Sequence, residues 1–277
     1  MKLIFAFALV VVLFFLYLQS NSRSTFEQPR IPKIIWSFWD QDEIPEFIQK
    51  CVDTWKKYNP DYAINFMTTS TLKNYVGEEE ANKMIKWKFN DSPQRLSDLV
   101  RLSVVSKFGG IWLDASIVCF NSFDWVQNEN SDAIVFSIKE LSVDPTIESW
   151  FIAAVPSNPY VTKWNEEFRG IDQYESVDDY IKKSGTNQDA IAYNINYLVV
   201  YLCARKVYHD LGSDSVKIKS ASDGPYNYMV KGGIKTLCDE HGTFAKFRRD
   251  ERKEMTPEVE ACIFSPNPDV KILSPEV

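Results

Sequence analysis

The sequence predicts an α/β domain built on a largely parallel central sheet. Three observations carry that prediction. Short apolar runs bounded by turn residues alternate with segments of helical spacing from residue 31 onward. The best-marked helix passes through Gly109-Gly110 into the apolar run Ile111-Trp112-Leu113, so helix and strand follow one another without a long loop. That strand ends on Asp114, and in open α/β sheets ligands bind just outside the carboxyl ends of the strands.

Taken in order, Ile31-Pro-Lys-Ile-Ile-Trp-Ser-Phe-Trp39 is a strongly apolar first strand, closed by the acidic turn Asp40-Gln-Asp-Glu43. Residues 45–58 have helical spacing, with Phe47, Ile48, Cys51, Val52 and Trp55 on one stripe. Asn59-Pro-Asp61 breaks that helix, and Tyr62-Ala-Ile-Asn-Phe-Met67 reads as a second strand. Residues 69–75 and 78–88 read as two short helices. Ser92 then caps the central helix, and Pro93 takes its first position, where a missing N–H costs nothing.

Within that helix Gln94, Asp98, Arg101 and Val105 share one face, while Leu96, Leu99, Val100 and Ser103 form a second, mostly apolar one. Gly109-Gly110 predicts a left-handed C-terminal cap. Further strands are predicted at Ala133-Ile-Val-Phe-Ser137 and Trp150-Phe-Ile-Ala-Ala-Val155, and helices over residues 160–168 and 188–209. Beyond Asp210 the chain reads as irregular, with turns at Gly212, Gly224-Pro225 and Gly232-Gly233. Residues 31–277 therefore read as one domain.

Composition narrows the function classes. At 277 residues, 45% hydrophobic and 14% aromatic, the chain can bury a sizeable core and still line a cleft with rings. A net charge of -7 gives a nucleic-acid groove no electrostatic support. Cations are scattered apart from the mixed-sign run Lys246-Phe-Arg-Arg-Asp-Glu-Arg-Lys253. Five widely spaced cysteines without a C-x-x-C pair argue against zinc and thioredoxin-type chemistry, and the odd count leaves at least one thiol free. Asn90-Asp-Ser92 fits the N-glycosylation pattern, weakened by Pro93 directly after it. His209 and His241 lack partners at metal-ligand spacing and read as structural. Without G-x-S-x-G, Walker A or G-x-G-x-x-G, serine hydrolase, P-loop and dinucleotide readings lose their main support. A glycoside hydrolase has no identifiable carboxylate pair.

Residues 3–18 form an unbroken apolar run of sixteen after Lys2. A spanning helix needs about 20 such residues, and flanking Gln19 and Ser20 or local thinning can complete the span. The sequence predicts an uncleaved N-terminal anchor over residues 1–20 and a polar stalk over residues 21–30. The chain would then be single-pass in a Golgi/ER-type or equivalent envelope membrane, or secreted if the segment is a cleaved signal. Lys2 stands against Arg23, Arg30 and Lys33, so the orientation stays open.

Several residues are candidates for chemistry. On extended backbone Asp114 and Ser116 face the same way and can address one hard cation through oxygen, the remaining ligands coming from a diphosphate or a later acid. An acid after a strand is also an ordinary turn residue. Asp98 and Arg101 read either as a surface ion pair or as part of the same site. Trp36 and Trp39, at the end of the first strand, are candidates to stack on a nucleobase, with core packing as the alternative. Asp223-Gly-Pro-Tyr226 reads as a plain turn or as a loop that closes over a nucleotide.

Three blocks, Ile31-Pro-Lys-Ile-Ile-Trp36 with Trp39, Ser97-Asp-Leu-Val-Arg101, and Phe108-Gly-Gly-Ile-Trp-Leu-Asp114, resemble the capsular polysaccharide synthesis glycosyltransferases. These are relatives of the glycosyltransferase family 32 "DXD sugar-binding" enzymes. Trp150-Phe-Ile-Ala-Ala, Asn158-Pro159 and Gly224-Pro225 fall in the same order, so the resemblance spans residues 31–230. It implies a GT-A-like fold and sugar transfer from a nucleotide-sugar donor to a glycan or polysaccharide acceptor, aided by Mn²⁺ or Mg²⁺. It further implies that Trp39 stacks on the base, that Asp98 holds ribose or sugar hydroxyls, and that Arg101 neutralises donor oxygens. Asp114 would be the first acid of the DXD motif, whose second acid is here Ser116. Retention or inversion at the anomeric carbon stays open; an inverting enzyme needs a general base near the acceptor, for which Asp223 and Asp189 in Thr186-Asn-Gln-Asp189 are candidates, with Tyr226 in the loop beside the donor. The missing second acid motivates the alternative of a catalytically inactive sugar-nucleotide or glycan binding protein of the same fold.

Overall fold

In the computed structural model, described over residues 30–138, 145–186, 195–265 and 271–272, the apolar runs pair into one six-stranded sheet. From the N-terminus the elements are β1 (Ile34–Trp39), α1 (Glu46–Tyr58), β2 (Ala63–Thr68), α2 (Lys73–Val76) and α3 (Glu78–Ile85). The central unit follows as α4 (Pro93–Phe108), β3 (Gly110–Leu113) and β4 (Ile117–Cys119). Next come α5 (Trp125–Asn128), β5 (Ala133–Ile138), β6 (Thr146–Ala154), α6 (Pro159–Arg169), α7 (Val177–Lys183) and α8 (Val199–Leu211). The remainder forms β7 (Lys217–Ser220), α9 (Asn227–Lys231), β8 (Glu240–His241), β9 (Phe244–Lys246), α10 (Arg249–Lys253), α11 (Pro257–Phe264) and β10 (Lys271–Ile272).

The sheet order is β2-β1-β3-β6-β5-β7. β1 runs parallel to β2 and β3, β5 runs parallel to β7, and β6 alone is antiparallel to its neighbours. The reversal has a simple cause. Only residues 139–145 join β5 to β6, too few for the crossover a parallel pair needs. Both faces are buried, as such a sheet requires. Trp112 enters one core with Leu99, Val105, Trp164 and Leu202 of the α4, α6 and α8 layer, while Ile111 and Leu113 enter a second with Cys51 and Trp55 of α1 and Ile263 of α11. This is the expected α/β arrangement, a mostly parallel central sheet flanked by helices.

Several sequence expectations need correction. β1 starts at Ile34 instead of Ile31, because Pro32 cannot donate to a ladder and its carbonyl takes the Ile34 N–H in a turn. Between Arg95 and Ser106 the central helix has no exposed residue. Asp98 and Arg101 are buried along with the apolar positions, so the surface-ion-pair alternative fails. Ser92 caps α4 as expected, its Oγ accepting from the Arg95 N–H at 3.3 Å. Gly109 caps α4 with the expected positive φ of 65°, its N–H donating to the Val105 carbonyl, but a ψ of -163° leads it straight into β3 instead of the left-handed helical turn. A Cβ there would lie 2.7 Å from the Pro156 nitrogen, and one on Gly110 would lie 2.7 Å from the Ile34 carbonyl, so close strand packing demands both glycines.

The helix predicted over residues 188–209 is α8 alone, and residues 187–194 lie outside the described residues. Nor is the chain irregular beyond residue 210. β7 is one of the sheet's two outer strands, and β9 pairs antiparallel with β4, Lys246 facing Ile117 in the register. Cys238 and Cys262 form a disulfide, while Cys51, Cys119 and Cys203 are free and buried. The predicted anchor and stalk, up to residue 29, and Asp189 lie outside the described residues. Among the described residues no helix is long and apolar enough to cross a membrane.

Candidate active site at the carboxyl edge of the sheet

β1 and β3 are parallel neighbours, so Trp39 and Asp114 leave the sheet at the same edge. The first half of α4 passes beside that edge and brings Asp98 and Arg101 to it. Together they line a cavity of about 220 Å³ whose wall includes Trp39, Asp98, Arg101, Asp114, Ser116 and Arg252.

Arg101 is the hub. Its Nη2 lies 3.4 Å from Asp98 Oδ1 and 3.2 Å from Asp114 Oδ1, so one guanidinium joins helix and strand end. It also donates to Ser149 Oγ on β6 and, at 3.1 Å, to Ser97 Oγ one helical turn away, while its Cζ lies 5.2 Å from the Trp112 ring centroid. These partners fix the fork in place, which a flexible surface arginine is not. Burial alone would raise the Asp114 carboxyl, but Lys246 and Arg101 outweigh it and hold the group well below the usual carboxylate range. Asp98, with burial dominating the pull of Arg101 and Asp114 adding to it, is pushed up to about 6.

Asp114 and Ser116 have a further partner that motif reading missed. Lys246, arriving on β9, donates to Asp114 Oδ2 and to Ser116 Oγ at 2.9 Å each. Ser116 Oγ in turn donates to the Phe247 carbonyl at 2.7 Å. The other Asp114 oxygen accepts from Trp112 Nε1 at 3.1 Å as well as facing Arg101.

Asp98, Arg101, Asp114, Ser116 and Trp39 are therefore brought to one cavity. Trp36, Asp223 and Tyr226 are not. The Trp36 indole is buried, stacked on Phe108 and donating from Nε1 to the Gly109 carbonyl at 2.8 Å, because it lies in mid-strand, three residues short of the carboxyl end that Trp39 occupies. Tyr226 is buried against Trp150, ring centroids 5.5 Å apart, in the core on the sheet's other face. Asp223 is exposed in the turn after β7, outside the cavity wall. Trp39, by contrast, is half-buried in the wall, and its Nε1 has no hydrogen-bond partner among the described residues.

Motif reading also passed over Ser149, Arg252 and Glu148. Arg252 had a signal, since the run from Lys246 to Lys253 is the chain's one gathering of cations. Glu148 sits in β6 accepting from Trp150 Nε1, and burial pushes its carboxyl up to about 8.

A family model described as "Capsular polysaccharide synthesis protein" matches residues 14–202. The chain is 25% identical over 155 residues to "O-glycosyltransferase braB" of Annulohypoxylon truncatum, a match covering 50% of this chain and 37% of that protein. It is 26% identical over 115 residues to "Inositol phosphoceramide mannosyltransferase 3" of Schizosaccharomyces pombe, covering 38% and 31% respectively. The chain thus spans well under half the length of these curated relatives. Among solved structures, the ligand-free glycosyltransferase domain of the YGT toxin overlays with a TM-score of 0.46 at 9% identity, over 69% of this chain and 80% of that one. The galactosyltransferase LgtC, solved with donor and acceptor sugar analogs, gives 0.40 at 11%, over 72% and 78%.

Proposed function

Because the chain belongs to the capsular polysaccharide synthesis family, we propose that it moves a sugar from a nucleotide-sugar donor to a glycan or polysaccharide acceptor at this cavity. One observation carries the reading: a chain of net charge -7 concentrates Arg101, Arg252 and Lys246 where the strands end. A departing nucleoside diphosphate gathers negative charge, and fixed cations in a partly dry site stabilise it without reorganising. A cavity of about 220 Å³ holds only part of a nucleotide sugar, the rest lying in the open cleft.

The residues divide the work by chemistry. Trp39 offers an indole face to the base. Asp98 accepts from ribose or sugar hydroxyls. Arg101, held by Asp98, Asp114 and Ser149, presents its guanidinium to the donor phosphates. The attacking hydroxyl comes from the acceptor, and no carboxylate of the cavity wall is assigned as its base.

The Mn²⁺ or Mg²⁺ implied by the resemblance finds no ready cage. Among the described residues no group of three or more His, Cys, Asp or Glu could hold a metal ion. Both oxygens of Asp114 are already engaged, and Ser116 Oγ sits between Lys246 and Phe247. Attachment to a membrane through residues 3–18 is part of the proposal. Carbonate extraction should leave the full chain in the membrane fraction, and its release would refute attachment.

The activity test is nucleoside diphosphate release by the purified full chain over a panel of nucleotide sugars, with Asp114→Asn as control. Turnover of at least one donor, lowered at least tenfold in Asp114→Asn, is the expected result. Donor binding without turnover would replace the enzyme with the inactive binding protein, and full activity in Asp114→Asn would overturn the site.

A further inference from the structure

Building on the glycosyltransferase reading, we infer that Lys246 takes the place of the divalent cation, so that the donor diphosphate binds without metal. The ammonium lies 2.9 Å from Asp114 Oδ2 and 2.9 Å from Ser116 Oγ, the two atoms the sequence nominates as metal ligands. An ion bound to both would have to displace it. An ion that left it in place would face Lys246 and Arg101 at once, both already on Asp114. Hard divalent cations take oxygen ligands, and here those oxygens serve protein cations.

Lys246 is also built in. Its side chain is only 11% exposed. Its backbone N–H donates to the Pro225 carbonyl at 3.3 Å, and its own carbonyl accepts from Tyr228 Oη at 2.8 Å. The next residue closes a two-way clasp with Ser116, the Phe247 N–H donating to the Ser116 carbonyl at 3.1 Å and the Phe247 carbonyl accepting from Ser116 Oγ. The chain carrying the ammonium is thus fastened to the loop it serves. Two of the ammonium's three donors are engaged among the described residues, leaving the third for a phosphate oxygen.

The same geometry accounts for Ser116. A hydroxyl accepts from the ammonium and donates onward to the Phe247 carbonyl. An ionised carboxylate there has no hydrogen to give and would face that carbonyl oxygen instead. Ser116 and Lys246 are therefore a matched pair, and the departure from the two-acid pattern follows from the cation the protein supplies itself.

The test uses the detergent-solubilised full chain, stripped with EDTA and titrated calorimetrically with UDP, GDP, ADP, dTDP and CDP. At least one should bind, its Kd changing less than threefold between EDTA and added Mn²⁺. Lys246→Met, checked for folding by circular dichroism, should weaken that binding at least tenfold in EDTA. The Ser116→Asp, Lys246→Ala double variant should become Mn²⁺-dependent, tightening at least tenfold when the ion is added. Wild-type binding that collapses in EDTA, or Lys246→Met binding as tightly as wild type, would overturn the inference and leave the glycosyltransferase reading standing. The wild-type comparison needs no variant to fold. Failure of all five nucleotides with and without Mn²⁺ would instead take down the donor-site reading itself.

Discussion

Glu148→Gln is predicted to stabilise the fold by an amount that grows with pH. Glu148 is 5% exposed in β6, near the Trp150 and Phe136 rings, and accepts from Trp150 Nε1. Burial moves its carboxyl from the ordinary 4.5 to about 8, so the folded chain keeps a proton that the unfolded chain sheds. A raised folded-state value means that this contribution to stability is fully present below pH 4.5. It is lost as pH rises toward 8, at about 1.4 kcal/mol per pH unit. At pH 7 the wild type has lost about 3 kcal/mol this way. Gln keeps the shape and a carbonyl acceptor for Trp150 but carries no proton to lose. Urea denaturation of both proteins at pH 5, 6, 7 and 8, followed by tryptophan fluorescence, reads the difference as a shift in midpoint at constant slope. It should be below about 1 kcal/mol at pH 5 and rise steadily to pH 8. A pH-independent difference, or a variant less stable throughout, would refute the burial argument.

Two further outcomes follow from local geometry. Gly109→Ala combines a positive φ with a Cβ 2.7 Å from the Pro156 nitrogen and 2.8 Å from the Ala154 carbonyl. It should lower stability by about 1–3 kcal/mol in the same urea assay, and a neutral result would show that the helix-to-strand turn is not tight. Trp39→Ala should weaken binding of whichever nucleoside diphosphate the chain accepts by roughly tenfold, the worth of a lost base stack of about 1–3 kcal/mol. Unchanged affinity would remove Trp39 from the donor site.

What the sequence shows well is what short-range chemistry dictates. Ser92, Pro93 and Gly109 mark the ends of α4, and the run after Gly110 marks β3, because caps, glycines and apolar runs act over a few residues. Asp98, Arg101 and Asp114 could be placed near one another from helical spacing and one strand. Trp39 abuts Asp40 and the turn, which already makes core packing the weaker reading for it, whereas the burial of Trp36 rests on Phe108 and the Gly109 carbonyl, more than seventy residues away in sequence. β7 escaped notice because Lys217-Ile-Lys-Ser220 is short and carries two lysines, as outer strands do, and only its pairing with β5 reveals it. The direction of β6 was hidden because the apolar run from Trp150 marks only its second half, and the start at Thr146 is what leaves too short a link from β5 for a parallel crossover.

Lys246 shows the limit most sharply. It lies 132 residues from Asp114, and no spacing rule connects them. The family match ends at residue 202, so the segment that carries the family likeness supplies Asp98, Arg101, Asp114 and Ser116, while Lys246 and Arg252 come from chain beyond it. The acids and Arg101 thus come from one part of the sequence and Lys246 from another, and Lys246 meets Asp114 because β9 pairs with β4. That pairing couples residue 116 to residue 246. Ser116→Asp on its own should therefore not create a better metal site. It would set a carboxylate between the Lys246 ammonium and the Phe247 carbonyl, where the nearest cation is the one the fold already provides. Only with Lys246 removed does a second acid at 116 have room for an ion, which is why the double variant separates a site that lacks a metal ligand from one that has replaced the metal.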